Sequence, residues 1–501
     1  MRQKTAALLL VLLMCALPLL SACSQQTENA AEDAPASQNG AAQSADPGSS
    51  ADAEPDKPEI VTDDLPERNY DGAAFNIYTR SNTTHYAYLA EEMNGEVLND
   101  AIYSRNLKTA ERFNIAFTET VYSDEIMAQN NVQSGDDTFS LMNVRCTAAD
   151  KMAQKGLCFD ISSMEFINLE KPYWDDELTR MIAVGDRYFT AIGSANLTTI
   201  DFMNVMLFNK DLFAQYQFDD LYSTVREGRW TFDAFGTMAS SVTMDLDGDG
   251  ALNANDQWGV LGTAKFLHCA FLPAGGAWYV SKDAGNIPVF SMGTDEHFLS
   301  VFEKTFAVLN DNNAWYLTND TTNEAVDYHN MFRNNQGLFL ATIFYYIESL
   351  RDMDYDFGIV PFPKYDESQA DYYSRISFYD ASVIPVTVPS PEMSAIVLEA
   401  LNCESFNSVV PAYKDIALKS KFARDEDSSA MIDVYLEHRI VDFGDSILVD
   451  SIRDTFVVAM FYNNNKDLAS AVKSRSKVIT KTIDKMIAAY QEIESSQEQG
   501  G

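Results

Sequence analysis

The sequence predicts an α/β fold divided into two domains. Three observations predict it. Runs of alternating apolar residues, which suit strands, recur between runs of helical spacing, and such alternation builds a largely parallel sheet. About 430 residues follow the polar opening segment, too many for one hydrophobic core. Helix starts carry side chains that satisfy the first unpaired backbone N–H groups. Thr231 precedes "FDAFGTMASSV", and Ser390 precedes "PEMSAIVLEAL", with Pro391 at the first helical position.

Taken in order, the chain opens "MRQKTAALLLVLLMCALPLLSAC". Arg2 and Lys4 give a basic start. Ala6 to Leu20 is apolar but short for a membrane span. This is the layout of a secretory signal over 1–22, and "LSAC" resembles the bacterial lipobox, in which the cysteine, here Cys23, receives the lipid. Residues 23–68 read as a disordered tether. From Ser24 through Glu59 there is no aliphatic residue larger than alanine and no aromatic, so chain entropy outweighs burial. The expected state is anchored to a membrane, not spanning it.

"AAFNIYTRSN" alternates at Phe75, Ile77 and Thr79 and predicts a strand ending in a loop. "EVLNDAIYSRNLKTAERFN" predicts a helix through Val97, Leu98, Ile102, Leu107 and Phe113. "IAFTETVYS" and "DTFSLMNVRC" predict strands, and "TAADKMAQKG" a helix. Near the end, Leu468, Val472, Ile479, Ile483, Met486, Ile487 and Tyr490 form one apolar face of a long helix. Residues 491–501 read as a disordered tail.

Formal charge is −38, from 36 basic and 74 acidic residues. A surface that acidic argues against nucleic acid and against anionic membrane surfaces as partners. Four cysteines follow the signal, without a C-x-x-C pair. A helix between Cys146 and Cys158 would hold them about 15 Å apart, too far to bridge. Buried thiols are expected, and a Cys269–Cys403 pair stays open. No H-x-x-x-H, G-x-S-x-G, phosphate loop or dinucleotide fingerprint occurs. Composition alone does not exclude a glycosidase carboxylate pair.

"DLDGDGALNAND" has calcium-loop spacing. Asp245, Asp247 and Asp249 stand at positions 1, 3 and 5, and Gly250 at 6. The Ala251 carbonyl falls at 7, Asn253 at 9 and Asp256 at 12, where glutamate is usual. A single copy ahead of the strand-like "DQWGVLG" predicts a structural Ca2+ clip, not a signalling pair of hands.

The order of several stretches resembles the extracellular solute-binding proteins of ABC importers, in the class of maltose-binding protein. They are "DDTFSLMNV" with "KMAQKGLCFDIS", "VGDRYFTAIGS", "NVMLFNKDLF", "GRWTFDAF" and "GLFLATIFYY … DYDFGIVPFPK". Ile192, Phe208 and the exchanged Trp230–Thr231 depart from the family pattern. The resemblance spans roughly residues 70 to 490. It implies a two-lobed fold with an interlobe cleft and hinge crossovers. Lobe one would hold 69–202 plus 330–402, and lobe two 203–329 plus 403–490. It also implies a lipid-anchored, extracytoplasmic, monomeric protein that is not an enzyme, and that passes a solute, with carbohydrate favoured, to ABC permease subunits. A surface glycoside hydrolase with structural calcium, and a sensor or adhesin on the same scaffold, are the alternatives.

Ligands of open α/β sheets lie beyond the carboxyl ends of strands. That points to Arg80, Ser81 and Asn82 in lobe one, and to Asn143 and Arg145 beside them. Asp201 lies at the crossover. Trp278 and Tyr279 follow a glycine pair. Tyr345 and Tyr346 lie on the return, and Phe378 and Tyr379 in "RISFYDAS". Aromatic faces would cover sugar C–H surfaces, while Asp, Asn and Arg would bond the hydroxyls.

Overall fold

A computed structural model describes residues 60–80, 88–122, 125–316, 327–414 and 424–498. The expected signal, Cys23, the tether up to residue 59, and Ser81 and Asn82 lie outside the described residues. Residues 60–68 belong to the body, not to the tether. Val61 N–H donates to Asn407 Oδ1 at 3.0 Å, Asp63 pairs with Arg112, and Leu65 packs on the first-lobe core. Val61 and Leu65 are among the first large aliphatic side chains after Glu59, and they supply burial that the preceding segment lacks. At the other end the helix Leu468–Glu498 runs on into the expected disordered tail, as far as Glu498.

Twelve strands occur among the described residues: β1 (Ala73–Arg80), β2 (Ile115–Tyr122), β3 (Leu141–Arg145), β4 (Asn204–Asn209), β5 (Trp258–Leu261), β6 (Val280–Lys282), β7 (Pro288–Phe290), β8 (Gly337–Ile343), β9 (Phe357–Val360), β10 (Ser374–Arg375), β11 (Asp380–Val383) and β12 (Arg439–Ile440). They form two four-stranded sheets, each the centre of a lobe, and two small pairs. The first sheet has the order β11–β3–β1–β2, parallel except for β11. The second has the order β5–β8–β4–β9, with β4 antiparallel to both neighbours.

Strand periodicity explains why both sheets are covered on two faces. In β1, Phe75 and Ile77 enter one cluster with Phe113, Leu141 and Ile396, while Tyr78 enters another with Tyr122, Met142 and Val144. In β4, Met206 and Phe208 join Val260, Phe339 and Trp230, while Val205 and Leu207 face Leu340, Ile359 and Tyr435. The helix Phe232–Val242 starts at Thr231, whose Oγ1 accepts from Ala234 N–H, and Pro391–Glu404 starts at Ser390, which accepts from Met393 N–H.

The lobe boundaries differ from the sequence expectation at one crossing. By sequence, 330–402 belongs to lobe one. In the structure β8 and β9 pair with β4 and β5, so the chain stays in the second lobe until β10 and re-enters the first only at β11. The outbound and returning segments lie against each other. Met203 and Ile376 form an antiparallel bridge, and Ser377 donates from N (3.0 Å) and Oγ (2.8 Å) to the Phe202 carbonyl. Cys146, Cys158, Cys269 and Cys403 are all buried free thiols, so Cys269 and Cys403 do not pair.

Candidate functional site

Arg80 closes β1 and Arg145 closes β3. These strands are parallel neighbours, so both arginines leave the same carboxyl edge of the sheet. Asp380 opens the antiparallel β11 directly opposite Arg145. The Arg80 guanidinium pairs with Asp380 Oδ1 at 3.0 Å from Nη2 and 3.2 Å from Nε. The Arg80 and Arg145 guanidinium carbons lie 5.7 and 5.0 Å from the centroid of one ring, Phe378. Such cation–π contact fixes the planes of flexible side chains before a ligand arrives.

Phe378 continues into a series of rings that joins the lobes. It stacks on Phe202 of the outbound crossover at 3.8 Å, and Phe202 stacks with Tyr345 at 5.8 Å and 17°. Tyr345 and Tyr346 occupy the short helix Phe344–Ile347 that follows β8 in the second lobe. Their rings meet edge-on at 5.2 Å, and Tyr346 lies 5.2 Å from His329. Tyr346 is 37% exposed, and partial burial of its hydroxyl pushes the pKa up.

A run of alternating charges lies under the returning crossover. Asp445 receives both Nε and Nη2 of Arg375 and faces Arg453 at 3.6 Å. Arg375 Nη1 donates to Asn204 Oδ1 (2.8 Å) and to the Lys265 carbonyl (3.0 Å), and Arg453 Nη1 to the Ser377 carbonyl (3.0 Å). Arg453 Nε also holds Asp454 at 2.7 Å, and Asp454 stands 3.9 Å from Lys265. Arg453 and Asp454 lie in a widened π-helical turn, Asp450–Val457, a geometry that recurs at functional sites. Burial alone would raise the Asp454 pKa and lower that of Arg375. The partner charges outweigh burial at both, leaving Asp454 below and Arg375 above its ordinary value.

The other expected ligand residues go elsewhere. Asn143 is buried and accepts from Asn196 Nδ2 at 2.9 Å. Asp201 is 1% exposed and accepts from the Tyr413 hydroxyl. Tyr279 and Tyr379 are core residues. Tyr279 packs on Phe298, and the Tyr379 carbonyl accepts from Cys146 N–H. Trp278 stands beside Tyr373, 6.3 Å between centroids. Phe202, Asp380, Lys265 and Asp454 are the residues that sequence missed. Strand alternation gives a signal only for Asp380, which points opposite Arg145 once β11 is paired.

In the cation loop, ligand oxygens of Asp245, Asp247 and Asp249 lie within 4.8 Å of one another. Gly248 and Gly250 N–H donate to Asp245, at 2.7 and 2.9 Å, holding its pKa low, and Gly250 takes φ +83°. These three carboxylates fit a hard cation. The Ala251 carbonyl accepts from Asn253 Nδ2 at 3.1 Å. Asp256 departs from the expected ligand set. It is buried, and its two oxygens accept from Leu246 and Asn253 N–H, at 2.8 and 2.7 Å, so it closes the loop through the backbone.

Beside the crossovers lies a cavity of about 360 Å³. Trp174, Asp175, Asn196 and Thr199 line it from the first lobe and its crossover, and Leu436 and Arg439 from the second. Arg439 pairs with Asp175 across it.

No family model matches the sequence, and no curated protein matches it. Solved structures do match. An ABC substrate-binding protein from Listeria monocytogenes, in complex with cycloalternan, superposes with TM-score 0.53 at 12% identity, over 83% of this chain and 100% of that one. A family 1 extracellular solute-binding protein from Bifidobacterium longum subsp. infantis gives 0.52 at 14%, over 81% and 99%. A cyclo/maltodextrin-binding protein complexed with maltotetraose gives 0.55 at 12%, over 82% and 97%. At such identities the likeness establishes the fold: two α/β lobes joined by crossing segments, the architecture of extracellular solute-binding proteins.

Proposed function

We propose that this chain is the solute-capturing component of an ABC importer and that it closes its lobes on a sugar or oligosaccharide. One observation carries the proposal. Arg80, Arg145, Phe378, Phe202 and Tyr345 converge where the crossing segments join the lobes, as a capture site built on a hinge requires. The aromatic series gives a surface for sugar C–H groups, and the guanidiniums give donors for oxygens. The likeness in fold to proteins whose titles name ABC transport and bound glycans supports the same assignment. Cys23 would carry the lipid and the polar segment would hold the body away from the membrane, with a permease as partner. Incubating the purified chain with a panel of small glycans tests this. The expected result is a melting temperature raised by a matching glycan with no product released. Released sugar would instead identify an enzyme, and a panel without any stabilising member would remove the carbohydrate assignment.

We also propose that Asp245, Asp247 and Asp249, with the Ala251 carbonyl and Asn253, hold a structural Ca2+. Ca2+ supplies a counter-charge that lets three carboxylates share one loop. Saturating Ca2+ should raise the melting temperature by about 5 °C over chelator, since binding at a hundred times Kd adds about 2.7 kcal/mol. Glycan affinity should be unchanged between the two conditions. A melting curve indifferent to chelator would defeat the assignment.

A further inference from the structure

We infer that the C-terminal helix docks the body on an anionic phospholipid surface through one row of lysines. The inference goes beyond solute capture and rests on the lipid anchor proposed at Cys23. It starts from a concentration of positive charge in an acidic chain. Residues 468–490 carry Lys473, Arg475, Lys477, Lys481 and Lys485 against a single acid, Asp484, whereas the whole chain holds 74 acidic residues to 36 basic. Positions 473, 477, 481 and 485 recur every four, so they drift by only about 40° per step and form one row about 18 Å long. The opposite side of the helix is Val472, Ile479, Ile483 and Met486, seated in the second-lobe core. All five cations are exposed. Among the described residues no carboxylate pairs with any of them, and Arg475 rests 5.2 Å from the centroid of the Phe456 ring.

The arrangement is unfavourable to the helix by itself. Lysines four apart repel, and Lys473 and Arg475 stand near the positive end of the helix macrodipole. A negative surface outside the helix relieves both. The formal charge of −38 argues against such a surface for the chain as a whole. At physiological salt, however, exposed charges more than about 8 Å apart are largely screened, so the face that makes contact decides. Two features select lipid over an acidic protein or a nucleic acid. Four of the five cations are lysines on a convex face. They are point charges without the fork that reads a fixed partner, which suits a fluid array of headgroups. A flexible coil of the length of Ser24–Glu59 has an end-to-end distance of about 30–36 Å, so an anchor at Cys23 keeps the lipid surface at high effective concentration. Val478, 67% exposed, borders the row and offers an apolar side chain to the headgroup layer.

The test uses the mature, lipidated chain on vesicles of phosphatidylcholine alone or with about a third phosphatidylglycerol. A fluorophore at Ser474→Cys reports contact through quenching by a nitroxide carried on lipid headgroups. The expected result is quenching at least twofold greater on the anionic vesicles, and lost at high salt. The triple variant Lys477→Gln/Lys481→Gln/Lys485→Gln should abolish the difference and keep its melting temperature within a degree or two of the parent. The corresponding triple lysine-to-arginine variant, which retains the charge, should keep it. Flotation with neutral vesicles reports the anchor alone. Equal quenching on the two vesicle types, or quenching unchanged in the glutamine variant, overturns docking and leaves the anchor standing. Flotation with anionic vesicles only would overturn the anchor and leave docking standing, and flotation with neither overturns both.

Discussion

Replacement of Asp445 by alanine is expected to cost about 3–5 kcal/mol of stability, a large share of the 5–15 kcal/mol that holds a typical domain folded. Asp445 is fully buried and faces two fully buried guanidiniums. Arg375 presents Nε and Nη2 to it, and Arg453 stands at 3.6 Å. Removing the carboxylate strands Arg375 without water, and it must then stay charged in an apolar setting or pull solvent into the core, while Arg453 keeps Asp454 at 2.7 Å. The damage would reach the site. Arg375 holds Asn204 and the Lys265 carbonyl, and Arg453 holds the Ser377 carbonyl, so the pair pins both crossing segments to the second lobe. Denaturant midpoints measure the loss. The double variant Arg375→Met/Asp445→Leu should recover at least half of it, because an apolar pair removes the stranded charge. A cost below about 1 kcal/mol for the single variant would show that the network is solvated.

The second large effect is expected at Gly259. A Cβ there would stand 2.2 Å from the Ala239 carbonyl oxygen and 2.6 Å from its carbon. Both atoms are backbone of the helix Phe232–Val242, which cannot swing aside as a side chain would. Gly259→Ala therefore has to separate that helix from β5, and a destabilisation of about 3 kcal/mol is expected, at the upper end for overpacking. Because β5 pairs with β8, whose end carries Tyr345, glycan affinity should fall with stability. Gly248→Ala is the control. Its φ is +73° but nothing lies within 4 Å, so only the left-handed backbone penalty of about 1 kcal/mol applies. Thermal melts of the two variants should separate by several degrees, and equal melts would show that the helix accommodates the methyl group.

Much of the fold was legible wherever one short segment determines its own shape. Alternation in "AAFNIYTR", the caps at Thr231 and Ser390, and the apolar face of the last helix all rest on local periodicity or local hydrogen bonding. The route between lobes was harder. "GLFLATI" is buried on both faces and suits the centre of either sheet, so nothing within it says which sheet it joins. The start of the body was legible in retrospect from Ile60 and Val61, the first large aliphatics after a long polar run. For the candidate site, strand ends gave Arg80 and Arg145, since the carboxyl edge of a parallel sheet follows from strand direction alone. Tyr379 and Phe378 differ by one position, and only pairing of β11 decides which faces the arginines. Lys265 and Asp454 had no signature. Charges are frequent in this sequence, and what singles these two out is a partner nearly two hundred positions away.

The cavity beside the crossovers draws its walls from both halves of the molecule, with Arg439 reaching Asp175 across it. Any rotation of one half against the other changes the room inside. Under the proposed closure of the lobes, solvent would be drawn in or expelled there. The free energy of that closure would then contain a hydration contribution, and would depend on the activity of water as well as on the concentration of the solute.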